Sequence, residues 1–294
     1  MKKIIFLIVL AFVLQGCTRK PDENINEELV KNDQVEELNE EKEECEAQEE
    51  TEEVQEETID INSIDNKGYG WGFKKEVGKM PDIPKKTQEI FEKYDTIYAD
   101  KSGEKVMYLT FDEGYEAGYT AQILDTLKEN GVKAAFFITG DYFNRQQDLV
   151  KRMYDEGHII GNHTEHHYNL HKLEDYKKMQ EELNSLDDRY FEVFGEHMRY
   201  MRPPEGEYSE RVLAAAKDAG YKTAFWSFAY RDWLRDNING KEYAKEAIIP
   251  YFHDGAVLLL HAVSKDNADA LQDIIAEAEA QGYEFKSLDN IKIK

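Results

Sequence analysis

The chain has 294 residues, with 61 acidic and 37 basic side chains, a net charge of −24 and an apolar fraction of 41%. Such a field repels a polyanion and excludes a nucleic-acid-binding surface, while the apolar residues and 18 glycines suffice for a buried core in one or two domains. Both cysteines, Cys17 and Cys45, precede residue 60, so a metal site anywhere later must draw on His, Asp or Glu.

Met1-Lys2-Lys3 is followed by an apolar run from Ile4 to Leu14, too short to span a bilayer but suited to a signal-peptide core. The run ends in Leu14-Gln15-Gly16-Cys17, which resembles the bacterial lipobox. This predicts a lipoprotein-type signal peptide over 1–17 and an exported protein. Lipidation of Cys17 tethers it to the outer face of the cytoplasmic membrane; if the cysteine is incidental, the protein is secreted to the cell wall. Residues 21–60 hold 19 acidic side chains against two lysines, with no Phe, Trp or Tyr. A segment of that composition cannot bury enough surface to fold, and its self-repulsion extends it, so 18–60 reads as an acidic disordered linker. Without it and the leader, residues 61–294 carry only −11. Residues 61–104, with Tyr69, Trp71, Phe73, Phe91, Tyr94 and Tyr98, are too aromatic for a linker and read as an extension packed on a catalytic domain over 105–294.

From 105 onward, short β-rich runs alternate with amphipathic stretches, as in a parallel α/β fold. Strands are predicted at 106–111, 134–139, 159–161, 200–202, 223–228, 257–260 and 285–287, and helices at 117–129, 145–156, 173–194, 209–218, 241–249 and 266–280. Periodicity alone leaves a barrel and a doubly wound sheet both open. In either, the site lies at the C-terminal ends of the strands. There the sequence places Asp112-Glu113-Gly114, His163-Thr164-Glu165-His166-His167, Arg202-Pro203-Pro204-Glu205-Gly206, Asp232-Trp233 and Leu259-Leu260-His261. Each has a bland reading alone: a helix-capping Asp, structural histidines, a stiff Pro-Pro turn. Their order and position together are far more specific.

The ordered set resembles the polysaccharide deacetylase family, the NodB homology domain of carbohydrate esterase family 4. Thr110-Phe111-Asp112-Glu113-Gly114 matches its T-F-D-D-G, His163-Thr164-Glu165-His166-His167 its H-[ST]-x-x-H, and Arg202-Pro203-Pro204-Glu205-Gly206 its R-x-P-x-G. Further stretches, among them Tyr69-Gly70-Trp71-Gly72-Phe73 and Leu260-His261-Ala262-Val263-Ser264, are similar to the delta-lactam-biosynthetic de-N-acetylase branch, which acts on N-acetylmuramic acid of spore-cortex peptidoglycan. The resemblance implies a distorted (β/α) barrel of about seven parallel strands. It implies hydrolysis of the acetamide of an N-acetyl sugar in peptidoglycan glycan strands, by a monomer. Asp112 is then the general base, Arg202 the residue that orients it and keeps it ionised, His261 the acid for the leaving nitrogen, and Asp232 the partner of His261. A divalent ion, zinc before Mg, Mn or Co, is expected on His163, His167 and Glu113, with His166 a spare imidazole. Glu113 departs from the Asp of the general family pattern, and its extra methylene moves the carboxylate by about 1.5 Å. The Glu205 backbone N–H is expected to assist the oxyanion, and Trp233 and Leu259 to form apolar walls of the substrate cleft. Two other readings stand beside this one: a deacetylase of N-acetylglucosamine in peptidoglycan or another glycan, and a noncatalytic glycan-binding lipoprotein.

Overall fold

The computed structural model describes residues 60–173, 175–234 and 238–293. The leader and, but for Asp60, the acidic linker lie outside the described residues. Among those described, no helix is long and apolar enough to cross a membrane.

The strands are β1 (Tyr69–Gly70), β2 (Val106–Glu113), β3 (Ala135–Ile138), β4 (Ile159–Asn162), β5 (Tyr200–Met201), β6 (Glu207–Tyr208), β7 (Lys222–Thr223), β8 (Ala256–His261) and β9 (Glu284–Phe285). The helices are α1 (Lys85–Lys93), α2 (Thr120–Glu129), α3 (Gly140–Arg145), α4 (Gln147–Asp155), α5 (Tyr176–Phe194), α6 (Glu210–Asp218), α7 (Lys241–Ile248) and α8 (Lys265–Ala280). Seven strands form one sheet in the order β7-β5-β4-β3-β2-β8, with β9 pairing the start of β2. Every pair in it is parallel. A parallel bridge from Phe228 to Leu258 links the segment after β7 to β8 at the far end of the order. The sheet thus curls toward itself as a distorted (β/α) barrel, as expected. Strands covered on both faces explain why β2 and β8 read as continuous apolar runs.

Alternation along β2 divides its side chains between two cores. Val106 and Tyr108 join an inner cluster with Ile97, Phe137 and Val257, whereas Met107, Leu109 and Phe111 join the larger cluster under the helices, with Ile123, Leu124 and Tyr142. The helix predicted at 145–156 is found as α4, and a short helix that was not predicted, α3, precedes it. Thr139 starts α3 by accepting the Tyr142 N–H on its side chain, and Gln146, at φ −121, separates α3 from α4. Residues 60–104 contribute their aromatics to the larger cluster: Trp71 lies 5.1 Å from Phe91 and 5.3 Å from Phe225, ring to ring. The Trp71 indole N–H donates to the Trp226 carbonyl.

Candidate active site

Asp112 sits one residue before the end of β2, on the inner face, and in the sheet register it lies directly across from His261 on β8. Its Oδ1 accepts the Arg202 Nη1–H at 2.6 Å, and its Oδ2 stands 3.6 Å from His163 Nε2. Arg202 is fully buried just past β5 and its other donors are spent on the chain: Nε on the Ala224 carbonyl, Nη2 on Thr110 Oγ1 and the Phe225 carbonyl. Its guanidinium lies 4.0 Å over the Phe137 ring. Gly161 makes room for that ring, since a Cβ there would meet it at 2.6 Å. Burial alone would raise Asp112. The Arg202 guanidinium, followed by His163 and His261, outweighs it and holds the carboxyl below the ordinary aspartate value.

The His163 Nδ1–H donates to the Arg202 carbonyl at 2.8 Å. A carbonyl can only accept, so the tautomer is fixed and the Nε2 lone pair faces Asp112. The His167 ring is 4.8 Å from that of His163. Burial lowers both imidazoles, His163 to about 4, so both are neutral at neutral pH. The intervening turn requires left-handed backbone at Thr164 (φ 68) and His167 (φ 59). Asn162 Oδ1 and Thr164 Oγ1 hold it by accepting the Thr164 and His167 backbone N–H groups. Strain of this kind persists only where surrounding bonds impose it.

His261 closes the other side. Its backbone N–H donates to Asp232 Oδ2 at 2.8 Å, and its Nδ1 lies 2.7 Å from Asp232 Oδ1. Asn267 Nδ2 also donates to Asp232 Oδ2. Burial would lower His261, but the Asp232 carboxylate prevails and raises it. With Nδ1 engaged, Nε2 is the nitrogen left for substrate. The Trp233 ring is half exposed, 5.4 Å from the His261 ring. Leu259 is buried on the same face of β8 as His261, two residues away, opposite Thr110. Glu205 is exposed, at φ 59, and its Oε2 accepts the Asn169 Nδ2–H. Asp112, His163, His167, Arg202, Asp232, His261, Trp233 and Leu259 thus share one end of the inner face, with Glu205 at its edge.

Glu113 is the correction. The expected third metal donor follows Asp112 in an unbroken strand, so it points to the opposite face, under α2. There it is fully buried: Oε1 accepts the Thr120 hydroxyl at 3.3 Å and Oε2 has no partner. Among the described residues, no group of three His, Cys, Asp or Glu side chains is placed to hold an ion. The divalent ion implied by the resemblance finds two neutral imidazoles here and lacks the third protein donor usual at a catalytic zinc, so the residues present do not fit the expected three-ligand site. His166 is also turned elsewhere: its Nδ1 lies 2.7 Å from Glu182 Oε1 on α5, and its ring stacks on Tyr168. Sequence reasoning missed Thr110 and Asn267, which fix Arg202 and Asp232. Both lie within the matching stretches, and their hydrogen-bonding side chains beside charged residues were the available signal.

The Glu113 geometry has a measurable effect on stability. Burial, then the nearby Glu116 carboxylate, pushes its pKa well above the ordinary 4.5. The native state therefore keeps a proton that the unfolded chain releases, and stability from this group falls as pH rises from 4.5 until the folded-state pKa is passed. Glu113→Gln keeps the shape and cannot ionise. Thermal unfolding from about pH 5 to about pH 8 is expected to show the variant gaining on the native protein as pH rises. Parallel curves would mean that Glu113 is already ionised in the fold.

Comparison with known proteins gives a consistent picture. The family model for polysaccharide deacetylase matches residues 99–224. The peptidoglycan-N-acetylmuramic acid deacetylase PdaA of Bacillus subtilis is 46% identical over 231 residues, 78% of this chain and 88% of that protein. A peptidoglycan-N-acetylglucosamine deacetylase of Bacillus cereus is 33% identical over 195 residues, 65% of this chain and 89% of that protein. The solved structure of Bacillus subtilis PdaA, described as a family 4 carbohydrate esterase, superposes with a TM-score of 0.75 over 78% of this chain and 98% of its own.

Proposed function

Because this chain belongs to the polysaccharide deacetylase family, we propose that it is a hydrolase removing the N-acetyl group of muramic acid residues in peptidoglycan glycan strands, which prepares them for lactam formation in spore cortex. The observation that supports this best is the pairing across β2 and β8 of a carboxylate whose pKa Arg202 lowers, Asp112, with an imidazole whose pKa Asp232 raises, His261. Amide hydrolysis needs that pair. Asp112 takes a proton from the attacking water as its oxygen bonds to the acetyl carbon. The oxyanion forms near the Glu205 backbone N–H. His261 Nε2–H gives its proton to the sugar nitrogen as the C–N bond breaks, leaving acetate and a free amine. Arg202 holds Asp112 ionised and in place, Asp232 does the same for the charged form of His261, and Trp233 and Leu259 wall the acetyl and sugar faces.

Members of this family are generally divalent-metal dependent. Among the described residues of this chain the expected three-ligand set is not assembled: His163 and His167 face the cleft while Glu113 is buried on the opposite face of β2, so the roles assigned here are those of the chain's own side chains. The leader over 1–17 and the linker over 18–60 would hold the catalytic domain outside the cytoplasmic membrane, anchored through Cys17, where its glycan lies.

The test is mass analysis of glycan fragments incubated with the purified protein, with and without added zinc. Acetyl loss from muramic acid is the expected result. Acetyl loss confined to glucosamine would replace the substrate with that of the Bacillus cereus relative, and no loss from either sugar would leave the noncatalytic binding reading.

A further inference from the structure

The mechanism above leaves unused a second cavity of about 440 Å³ on the same rim of the sheet. Its lining includes Tyr115, Glu116, Tyr119, Asp141, Tyr142 and Arg145. Tyr115 and Glu116 follow the end of β2, Asp141 and Tyr142 follow β3 in α3, and Val263, also in the lining, stands two residues past His261. The cavity is therefore bounded by the chain leaving β8, β2 and β3, two of which carry Asp112 and His261. Three Cα–Cα steps put the Tyr115 Cα at most about 11 Å from that of Asp112. That is within reach of a ring next to the reacting one on a polymer.

The lining suits a sugar. Tyr115 and Tyr119, both partly exposed, offer aromatic surface to the C–H groups of a pyranose, whereas Tyr142 is buried, and carboxylate and guanidinium groups offer paired acceptors and donors to its hydroxyls. The polar groups are already fixed. Glu116 accepts the Gly118 N–H on Oε1 and the Tyr142 hydroxyl on Oε2, the latter at 3.2 Å, and Arg145 Nε donates to Asp141 Oδ1 at 2.7 Å. The volume falls in the range of small-molecule sites. The charge is selective as well: two carboxylates against one guanidinium repel an anionic ligand, which disfavours a lactyl or peptide carboxylate and leaves a neutral ring.

We infer that this cavity is a glycan subsite that binds the neutral N-acetylhexosamine adjacent to the reacting residue, so that the enzyme reads its substrate as a strand and not as a single sugar. The inference rests on the proposed action on peptidoglycan, and its test separates the two. Stem-free glycan tetrasaccharide and disaccharide are titrated by calorimetry into the full-length Asp112→Asn protein, alone and with Tyr119→Ala or Arg145→Ala added. Arg145 is exposed, so its variant also covers the case in which Tyr119→Ala fails to fold. Either change is expected to weaken tetrasaccharide binding about tenfold, the worth of one good contact, and to narrow the preference for the longer ligand. Unchanged tetrasaccharide affinity in both variants, an equal loss for both lengths, or no tetrasaccharide binding at all would overturn the subsite. Since the readout is binding to a catalytically blocked protein, a native enzyme that releases no acetate would sink the deacetylase reading and leave this result standing.

Discussion

Asp112→Asn is expected to lower acetate release from muramic-acid-containing glycan at least about 100-fold, the lower range for loss of a general base. Asparagine has nearly the same shape, and its Oδ1 still accepts the Arg202 Nη1–H, so the cleft keeps its form. What disappears is the buried carboxylate beside His163 that takes the proton from the attacking water. A second effect accompanies the first. Arg202 is fully buried, and stripping one partner from a buried ion pair costs about 3–5 kcal/mol. The retained hydrogen bonds of Arg202 to Ala224, Phe225 and Thr110 put the variant at the low end, seen as a reduced Tm with a cooperative transition. Kinetic assay and thermal unfolding on one preparation separate the two effects. Activity above a tenth of native would remove Asp112 from the mechanism, while a noncatalytic lipoprotein would have no activity to lose.

Most of this site was legible because parallel strands bury both faces and end in polar residues, so the apolar runs at 106–111 and 257–260 marked where Asp112 and His261 would stand. The error at Glu113 has a geometric cause. Ending the predicted strand at Phe111 left Asp112 and Glu113 in a loop where both side chains could enter one cleft. The strand instead continues through Glu113, and strict alternation then sends the two carboxylates to opposite faces. The short elements were illegible for a different reason. β1 and β6 are two residues each, paired between Tyr69 and Tyr208, and neither carries a periodicity to detect. The 223–228 run is only partly strand because its edges are shared: Ala224 bridges to Ile97 and Phe228 to Leu258. The left-handed turns at Thr164, His167 and Glu205 also escape sequence reasoning, since none is a glycine.

Asp232→Asn is expected to move the alkaline limb of the kcat/KM profile to lower pH and to cut activity at neutral pH about 100-fold or more. The active form has Asp112 ionised and His261 protonated, so the native profile spans the interval between a depressed carboxyl and a raised imidazole. Its alkaline limb lies above the ordinary histidine value of 6.5. Burial opposes the charged imidazole, and the Asp232 carboxylate is the largest influence overcoming it. With that charge gone, burial prevails and the proton leaves His261 at lower pH, so less of the acid survives where the base is fully ionised. The amide also loses an acceptor oxygen. Asp232 accepts from the His261 backbone N–H and Asn267 Nδ2 on Oδ2 and engages His261 Nδ1 on Oδ1; one amide oxygen cannot serve all three, and the ring loses the partner that keeps Nε2–H aimed at the substrate. Stability changes with the opposite sense to that at a depressed carboxylate. A raised histidine stabilises the fold fully below its unfolded value and loses that contribution as pH rises through its folded one. The native protein should therefore lose stability across that interval while Asp232→Asn does not. An alkaline limb at the same pH in both proteins would show that another group supplies the proton to the departing amine.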